Sequence, residues 1–211
     1  MQNDPDAVAT IDRRVAQLFA LVSEALAQAT HALLADESMM GQAVVDGDRA
    51  VDELTAEVER LAWAQIDSGV ANADLRRHLV GVLLILPELE RSADLAEHIA
   101  QRAVTHLGTE MSPLSRGIVQ RMTEVALEMW KAAADAYAGH LANNIDLAED
   151  DEEIDILHQR LTKEIAAEAM PTAIAAQVTL LARFYERLGD HAVNLARRID
   201  GLPNRRPPGD G

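Results

Sequence analysis

The sequence predicts an all-α protein made of two tandem three-helix bundles related by an internal pseudo-two-fold axis. Apolar residues recur at three- and four-residue intervals in six long stretches, as they do along one face of an amphipathic helix. The 211-residue chain is 48% hydrophobic but only 3% aromatic, so aliphatic residues and alanine must form its core, as in helical bundles. Finally, short acidic motifs and the apolar positions around them occur twice in the same order.

The first repeat is expected to span residues 6–108 and to contain three helices. The first helix runs from Asp6 to Leu34, and the second runs from Met40 to Ile66. The third and longest helix runs from Asn72 to Leu107. It contains Pro87, which has no backbone N–H group to donate and should therefore bend the helix at this point.

The second repeat is expected to span residues 112–200. Ser112 and Pro113 suit the N-cap and the first turn of helix four, which is expected to run to Asn143. The remaining segments are helix five from Ile145 to Ala169, helix six from Pro171 to Ile199, and a flexible tail over residues 201–211, which is rich in proline and glycine.

Two acidic patterns mark the repeats. The second helix of each repeat carries two aspartates four residues apart, and an offset of 103 residues takes one pair onto the other. The third helix of each repeat carries a Glu-Arg-x-x-Asp motif, where the offset is 96 residues. Residues four apart on a helix lie one turn apart on one face, so each pattern aligns two carboxylates. The eight acidic residues are Asp48, Asp52, Glu90 and Asp94 in the first repeat and Asp151, Asp155, Glu186 and Asp190 in the second.

The eight carboxylates form two groups of four if the second and third helices of each repeat pack antiparallel. Four negative charges within several ångströms are costly, so either their pKa values rise or a cation neutralises them. Oxygen ligands suit Mg²⁺, Ca²⁺ or Mn²⁺ and also iron.

The other interpretation is that arginines such as Arg91 or Arg187 pair with these acids as interhelical salt bridges. However, each arginine lies about 100° around the helix from the preceding glutamate, which directs it away from the group.

The histidines are weaker candidates for metal ligands. His191 adjoins an acidic motif, but the equivalent residue in the first repeat is Leu95, and His98 corresponds to Asn194. Neither histidine is therefore repeated as a ligand would be. His158 follows Asp155 by three residues, and this step could place a ring nitrogen near a metal ion.

Composition excludes several classes of function. A formal net charge of −16 opposes binding to nucleic acid or to anionic lipid. The absence of cysteine excludes disulfides and thiolate metal sites and is compatible with a reducing cytosol. The N-terminus is acidic and polar, unlike a signal peptide, so a cytoplasmic location is expected. No Gly-rich phosphate loop, nucleophile motif or duplicated Glu-x-x-His pair points to an enzyme.

The duplicated motifs resemble those of the PhoU family, cytoplasmic regulators that accompany the bacterial high-affinity phosphate transporter. That family has two three-helix repeats, each with an acidic-x-x-x-Asp motif on its second helix and a Glu-Arg-Ile-Gly-Asp-like motif on its third. The resemblance extends from about residue 11 to about residue 200 of this chain. The first copy departs from the family pattern, because Ser92 and Ala93 stand where an aliphatic residue and glycine are usual.

The resemblance implies a non-enzymatic, negative regulator of phosphate uptake and phosphate-starvation signalling. Its implied partners are the ATPase subunit of the transporter and a sensor histidine kinase, through which it would associate peripherally with the membrane. It also implies a homodimer and metal ions on the acidic motifs, which could be Mg, Mn, Fe, Zn or Ca. Two alternatives remain at this point: a carboxylate-bridged metal enzyme, either an oxidase or a hydrolase, and a helical adaptor without metal.

Overall fold

The computed structural model describes residues 5–139, 146–167 and 170–203, and within these ranges the chain is helical and contains no strand. A short 3-10 helix, Leu107–Glu110, lies between the repeats. The predicted all-α fold of two three-helix repeats is confirmed. The six α-helices are α1 Pro5–Ala35, α2 Ser38–Asp67, α3 Ala73–Val104, α4 Pro113–Tyr137, α5 Ala148–Ala167 and α6 Thr172–Asp200.

Two helix ends differ from the prediction because of local backbone conformation. Helix α3 ends at Val104 rather than Leu107, since His106 adopts a left-handed conformation with φ of 59° and the 3-10 turn follows. Helix α4 ends at Tyr137, and Gly139 takes a positive φ of 77° shortly after it. The predicted helix ends at Asn143, Ile145 and Ala169 and residues 204–211 of the predicted tail lie outside the described residues.

The predicted N-cap of helix four and the repeated apolar positions are present. The Ser112 side chain accepts a hydrogen bond from the backbone N–H of Ser115, at 3.1 Å, as an N-cap residue does. Helix α3 continues as an α-helix through Pro87. The apolar positions that the 103-residue offset equates in α2 and α5 are all buried. They are Val44, Val51, Leu54 and Val58 in α2 and Leu147, Ile154, Leu157 and Leu161 beside or within α5.

The two repeats share one hydrophobic core. Helix α1 packs on α4, and α3 packs on α6, across the boundary between the repeats. Trp130 is fully buried there, and its ring centroid lies 6.1 Å from that of Phe19 in the other repeat. The hydroxyl groups of Thr30 and Tyr185 are hydrogen-bonded at 2.5 Å, also between repeats. Large side chains of the two repeats therefore pack together in this shared core.

Helix α1 is long and apolar enough, by length and composition alone, to cross a membrane, with a mean hydropathy of 1.4 over its most apolar window. In this structure its apolar face has a different role. Ile11, Val15, Leu18, Val22 and Leu26 are fully buried against the other helices. The hydropathy of α1 is therefore explained by its place in the core of the bundle.

Helices α3 and α6 pack antiparallel across the pseudo-two-fold axis. Glu88 near the middle of α3 contacts His191 of α6, whereas His98 further along α3 contacts Phe184, which comes earlier in α6. Each contact lies close in sequence to a Glu-Arg motif. This packing therefore brings the third-helix motifs of the two repeats near the same interface.

Candidate functional site

The first acidic group comprises Asp48 and Asp52 on α2 and Glu90 and Asp94 on α3. Burial, followed by the negative charges of Asp52, Glu97, Asp94 and Glu90, raises the pKa of Asp48 from 3.8 to about 6. The structure thus brings the four predicted carboxylates into one electrostatic group. It also adds Glu97, which lies one turn after Asp94 on the same helix and was not predicted.

The first group lies at the surface and contains little compensating positive charge. Asp48 and Asp94 are half-buried, while Asp52 and Glu90 are exposed. The pKa of Glu90 is raised by burial and then by Asp52 and Asp94, and Arg91 only partly opposes this rise. Within the described part of the chain, none of the four carboxylates forms an ion pair. Their mutual repulsion must therefore be reduced by water or by a bound cation.

The second acidic group comprises Asp151 and Asp155 on α5 and Glu186 and Asp190 on α6. Burial raises the pKa of Asp151, and the charges of Asp155 and Asp190 add to this rise. Glu186 also raises the pKa of Asp151, whereas Arg197 lowers it. The structure therefore assembles the same four positions in the second repeat, with an arginine close to them.

Positive charge distinguishes the second group from the first. Arg183, one turn before Glu186 on α6, forms an ion pair with its carboxylate. The Nδ1 atom of His158 lies 3.9 Å from Oε2 of Glu186, so this histidine is near the group, as its spacing suggested. This ion pair lies within α6, so it is not the interhelical salt bridge that was the other interpretation, and Arg91 and Arg187 are exposed.

Neither group is assembled as a finished metal site. In residues 5–139, 146–167 and 170–203, no three Asp, Glu or His side chains converge closely enough to hold one ion together. The chemistry of the donors nevertheless suits a hard cation, since carboxylates on two adjacent helices can turn toward a common point and water can complete the coordination. Such an ion would have to draw the side chains of α2 and α3, or of α5 and α6, together.

The second group also borders a cavity of about 280 Å³ between the start of α5 and the end of α6. Asp151 and Asp155 line one side of this cavity, and Val193 and Arg197 line the other. Its lining is therefore mixed in charge. Arg197 could contact an anion, and the aspartates could contact a cation.

The histidines near the Glu-Arg motifs belong to the α3–α6 interface. The buried His191 places Nδ1 at 3.1 Å from Oε2 of Glu88, which is itself buried, and burial lowers the pKa of His191. His98 stacks on Phe184 with 5.4 Å between ring centroids. Sequence reasoning missed Glu88, because nothing in its spacing shows that this position of α3 faces the other repeat.

Two arginines at repeat-equivalent positions cross this interface. Arg102 of α3 places its guanidinium 4.8 Å from the ring centroid of Phe184 in α6. Arg198 of α6, which the 96-residue offset equates with Arg102, lies 3.8 Å from the carboxylate of Glu88 in α3. Phe184 and Glu88 are equivalent by the same offset. The two halves of the interface therefore share one geometry but differ in chemistry.

Comparison with known proteins identifies the family. A family model described as the PhoU domain matches residues 15–103 and again residues 119–199. The chain belongs to the PhoU family. The double match of the PhoU domain agrees with the duplicated helices and acidic groups described above.

Relatives and solved structures of PhoU proteins match nearly the whole chain. A Caulobacter vibrioides protein named phosphate-specific transport system accessory protein PhoU homolog is 33% identical over 198 residues, covering 91% of this chain and 86% of that protein. A Rhizobium meliloti protein of the same name is 29% identical and covers 90% of this chain and 82% of that protein. Crystal structures of PhoU from Pseudomonas aeruginosa and Streptococcus pneumoniae superpose with TM-scores of 0.82 and 0.83 at 22% and 21% identity. They cover 92% and 94% of this chain, and 95% of each of those chains.

Proposed function

We propose that this protein is a non-enzymatic accessory regulator of phosphate transport, acting in the cytoplasm as a negative regulator of phosphate uptake and phosphate-starvation signalling. The observation that carries this proposal is the match of both repeats to the PhoU domain, together with relatives named as accessory proteins of the phosphate-specific transport system. The match spans more than four-fifths of those relatives, so it concerns the whole protein rather than a shared module.

The proposed partners are the ATPase subunit of the phosphate transporter and a sensor histidine kinase. Both would hold the regulator at the membrane surface, since its own net charge of −16 disfavours direct contact with anionic lipid. A helical bundle with rigid faces suits such a role, because it can present different surfaces to different proteins. A homodimer is a further prediction for this chain.

We further propose that the first acidic group binds a cation, with Mg, Mn, Ca, Fe and Zn as candidates. The four carboxylates form no ion pair with any residue that the structure describes, and one of them has its pKa raised to about 6. Such a group favours a bound cation that neutralises it. Asp48 and Asp52 would hold the ion from α2, and Glu90 and Asp94 would hold it from α3. Joining the two helices would fix the shape of the surface that the partners contact.

The second acidic group is a weaker candidate for metal binding. Arg183 already neutralises Glu186, and Arg197 acts on Asp151, so less charge remains for a cation to compensate. Because Arg197 is on α6 and Asp151 is on α5, their attraction favours a structural role for the second group in pairing α5 with α6. The two acidic groups would then have different roles: the first would bind a cation, and the second would hold α5 against α6.

Elemental analysis of untagged protein purified without chelator tests the metal proposal. The double variant Asp48→Asn, Asp52→Asn should lose bound metal while remaining folded. The matched control is Asp46→Asn, which changes an exposed acid on the same helix and should retain the metal. Equal metal content in all three proteins would place the metal elsewhere, and its absence from wild type would favour a metal-free adaptor.

A separate experiment tests regulation. Cells that lack the protein should express a phosphate-starvation reporter in high phosphate, and wild-type protein should restore repression. Purified protein should also bind the ATPase subunit and the cytoplasmic part of the kinase in surface plasmon resonance. Normal repression in the deletion strain together with no binding to either partner would refute the proposed role.

A further inference from the structure

A groove on the first repeat lies between α1, α2 and α3 and encloses a volume of about 250 Å³. Its floor is apolar and its edges are acidic. The floor is formed by Leu21, Ala25, Val44, Val51 and Ala93, and the acidic residues at its edges are Glu24, Asp48 and Glu97. We infer that this groove binds an amphipathic helix of a partner protein, with apolar side chains on the floor and basic side chains toward the acids.

The outer wall of the groove is unusually open. Ala43, Gly47 and Ala50 lie along the exposed side of α2, and a Cβ atom built at Gly47 would have no other group within 4 Å. Helices approach one another more closely where the side chains between them are small. The open wall therefore admits the backbone of a second helix and leaves the apolar floor for its larger side chains.

The second repeat provides an internal comparison. The 103-residue offset equates Ala43, Gly47 and Ala50 of the first repeat with Asp146, Asp150 and Glu153 of the second. Glu153 accepts two hydrogen bonds from Arg121 of α4, at 2.7 and 3.0 Å, which link α5 to α4. Ala50, at the equivalent position of the first repeat, is exposed at the open wall of the groove. The same fold therefore also accommodates charged residues on this side of the helix, paired with a neighbouring helix. The open apolar version is specific to the first repeat.

Charge decides which kind of helix suits the groove. Glu24 and Glu97 lie on α1 and α3, on either side of Asp48, and within the described residues no lysine or arginine lines the groove. An acidic partner would be repelled, whereas lysine or arginine side chains beside the apolar face would offset this charge. A small organic cation fits less well, because a pocket for a small molecule encloses most of its ligand. The partner is therefore a basic amphipathic helix, whether or not the protein acts in phosphate transport.

The first measurement is fluorescence anisotropy with a fluorescein-labelled synthetic peptide of about 18 residues, which forms about five helical turns. Leucines occupy one face at three- and four-residue intervals, and lysines flank them. The full-length protein should bind this peptide saturably in buffer with about 0.15 M salt. Replacing the lysines by glutamate, or the leucines by alanine, should abolish this binding.

A matched pair of glycine variants locates the binding site. Gly47→Leu fills the groove, and Gly117→Leu makes the same change at an exposed glycine of α4 that also has no group within 4 Å of its Cβ. Both changes favour the helix, so both proteins should fold. Gly47→Leu should weaken peptide binding about tenfold or more, as the loss of a central contact does, whereas Gly117→Leu should leave it unchanged.

A second pair of variants tests the contribution of charge. Glu24→Gln with Glu97→Gln should weaken binding several-fold and make it less sensitive to salt, while Glu110→Gln, an exposed acid outside the groove, should not. Three results would overturn the inference: no saturable binding, equal binding by Gly47→Leu and Gly117→Leu, or equal binding of the peptide whose leucines are replaced. Equal binding by the two glycine variants would mean that the peptide binds outside the groove, and equal binding of the leucine-free peptide would mean that the net negative charge alone attracts it.

Discussion

Replacing Asp48 by asparagine should stabilise the metal-free protein and weaken its binding of cations. Asp48 is half-buried beside several other carboxylates, which is why its pKa rises to about 6. At neutral pH the folded protein therefore holds this group ionised at a cost in free energy that the unfolded chain does not bear. Asparagine keeps nearly the same shape and removes the charge, so it should relieve that cost.

The magnitude follows from the size of the pKa shift. The rise from 3.8 to about 6 would correspond to about 3 kcal/mol, at about 1.4 kcal/mol per pKa unit. Because water reaches this half-buried carboxylate and screens its neighbours, we reduce this to about 1 kcal/mol. For a chain of this size, such a change raises the melting temperature by about 2–4 °C.

The dependence on pH has a definite sign. The folded-state pKa of Asp48 lies above its unfolded value, so wild-type protein loses stability as pH rises from about 4 through about 6. The advantage of Asp48→Asn should therefore be small near pH 4, grow up to about pH 6, and stay constant above it.

Urea denaturation of chelator-treated protein at pH 5 and pH 7.5 measures this difference, with Asp46→Asn as the control on the same helix. The same experiment with added Mn²⁺ should reverse the order at pH 7.5, because the ion stabilises wild type more than the variant. A variant that is less stable than wild type without metal at pH 7.5 would refute the reasoning, since Asp48 would then be making favourable contacts.

Three further predictions concern other parts of the molecule. Gly108→Ala should lower the free energy of unfolding by about 2 kcal/mol or more, because its Cβ would collide with the backbone carbonyl of Leu33; thermal denaturation measures this loss. His191→Leu should destabilise the fold by about 2 kcal/mol, because it leaves the buried carboxylate of Glu88 without the ring nitrogen that lies 3.1 Å away, and adding Glu88→Leu should recover much of the loss in a double-mutant cycle. Mn²⁺ affinity, measured by calorimetry, should fall between pH 7 and pH 5, because protons compete for Asp48, whose pKa is about 6.

The fold was predictable because periodicity and repetition are properties of the sequence itself. Apolar residues at helical spacing marked the six helices, and the constant offset between the second helices held in the structure, where equivalent residues such as Val51 and Ile154 are both buried. Helix ends depended on information that these patterns lack. The left-handed conformation of His106, for instance, follows from how the chain must turn into the next repeat.

The acidic groups were only partly predictable. Their eight members were found because duplication singled them out from 35 acidic residues. Glu88 was missed because its burial depends on which face of α3 meets α6, and that is decided by packing between repeats. Arg183 was missed for a different reason. Its three-residue spacing from Glu186 is visible in the sequence, but Arg183 lies outside the duplicated motif, which contains only Arg91 and Arg187.

The differences between the repeats indicate where function lies. Duplication gave both repeats the same helices, and equivalent arginines still reach across the α3–α6 interface, one to Phe184 and the other to Glu88. A shared backbone with divergent charges means that the fold tolerates either chemistry at these positions. In the second repeat Arg183 forms an ion pair with Glu186, a member of the acidic group, whereas among the described residues no member of the first acidic group forms one. Negative charges without positive partners destabilise the fold. A cation or a basic partner would therefore gain more free energy by binding to the first repeat than to the second.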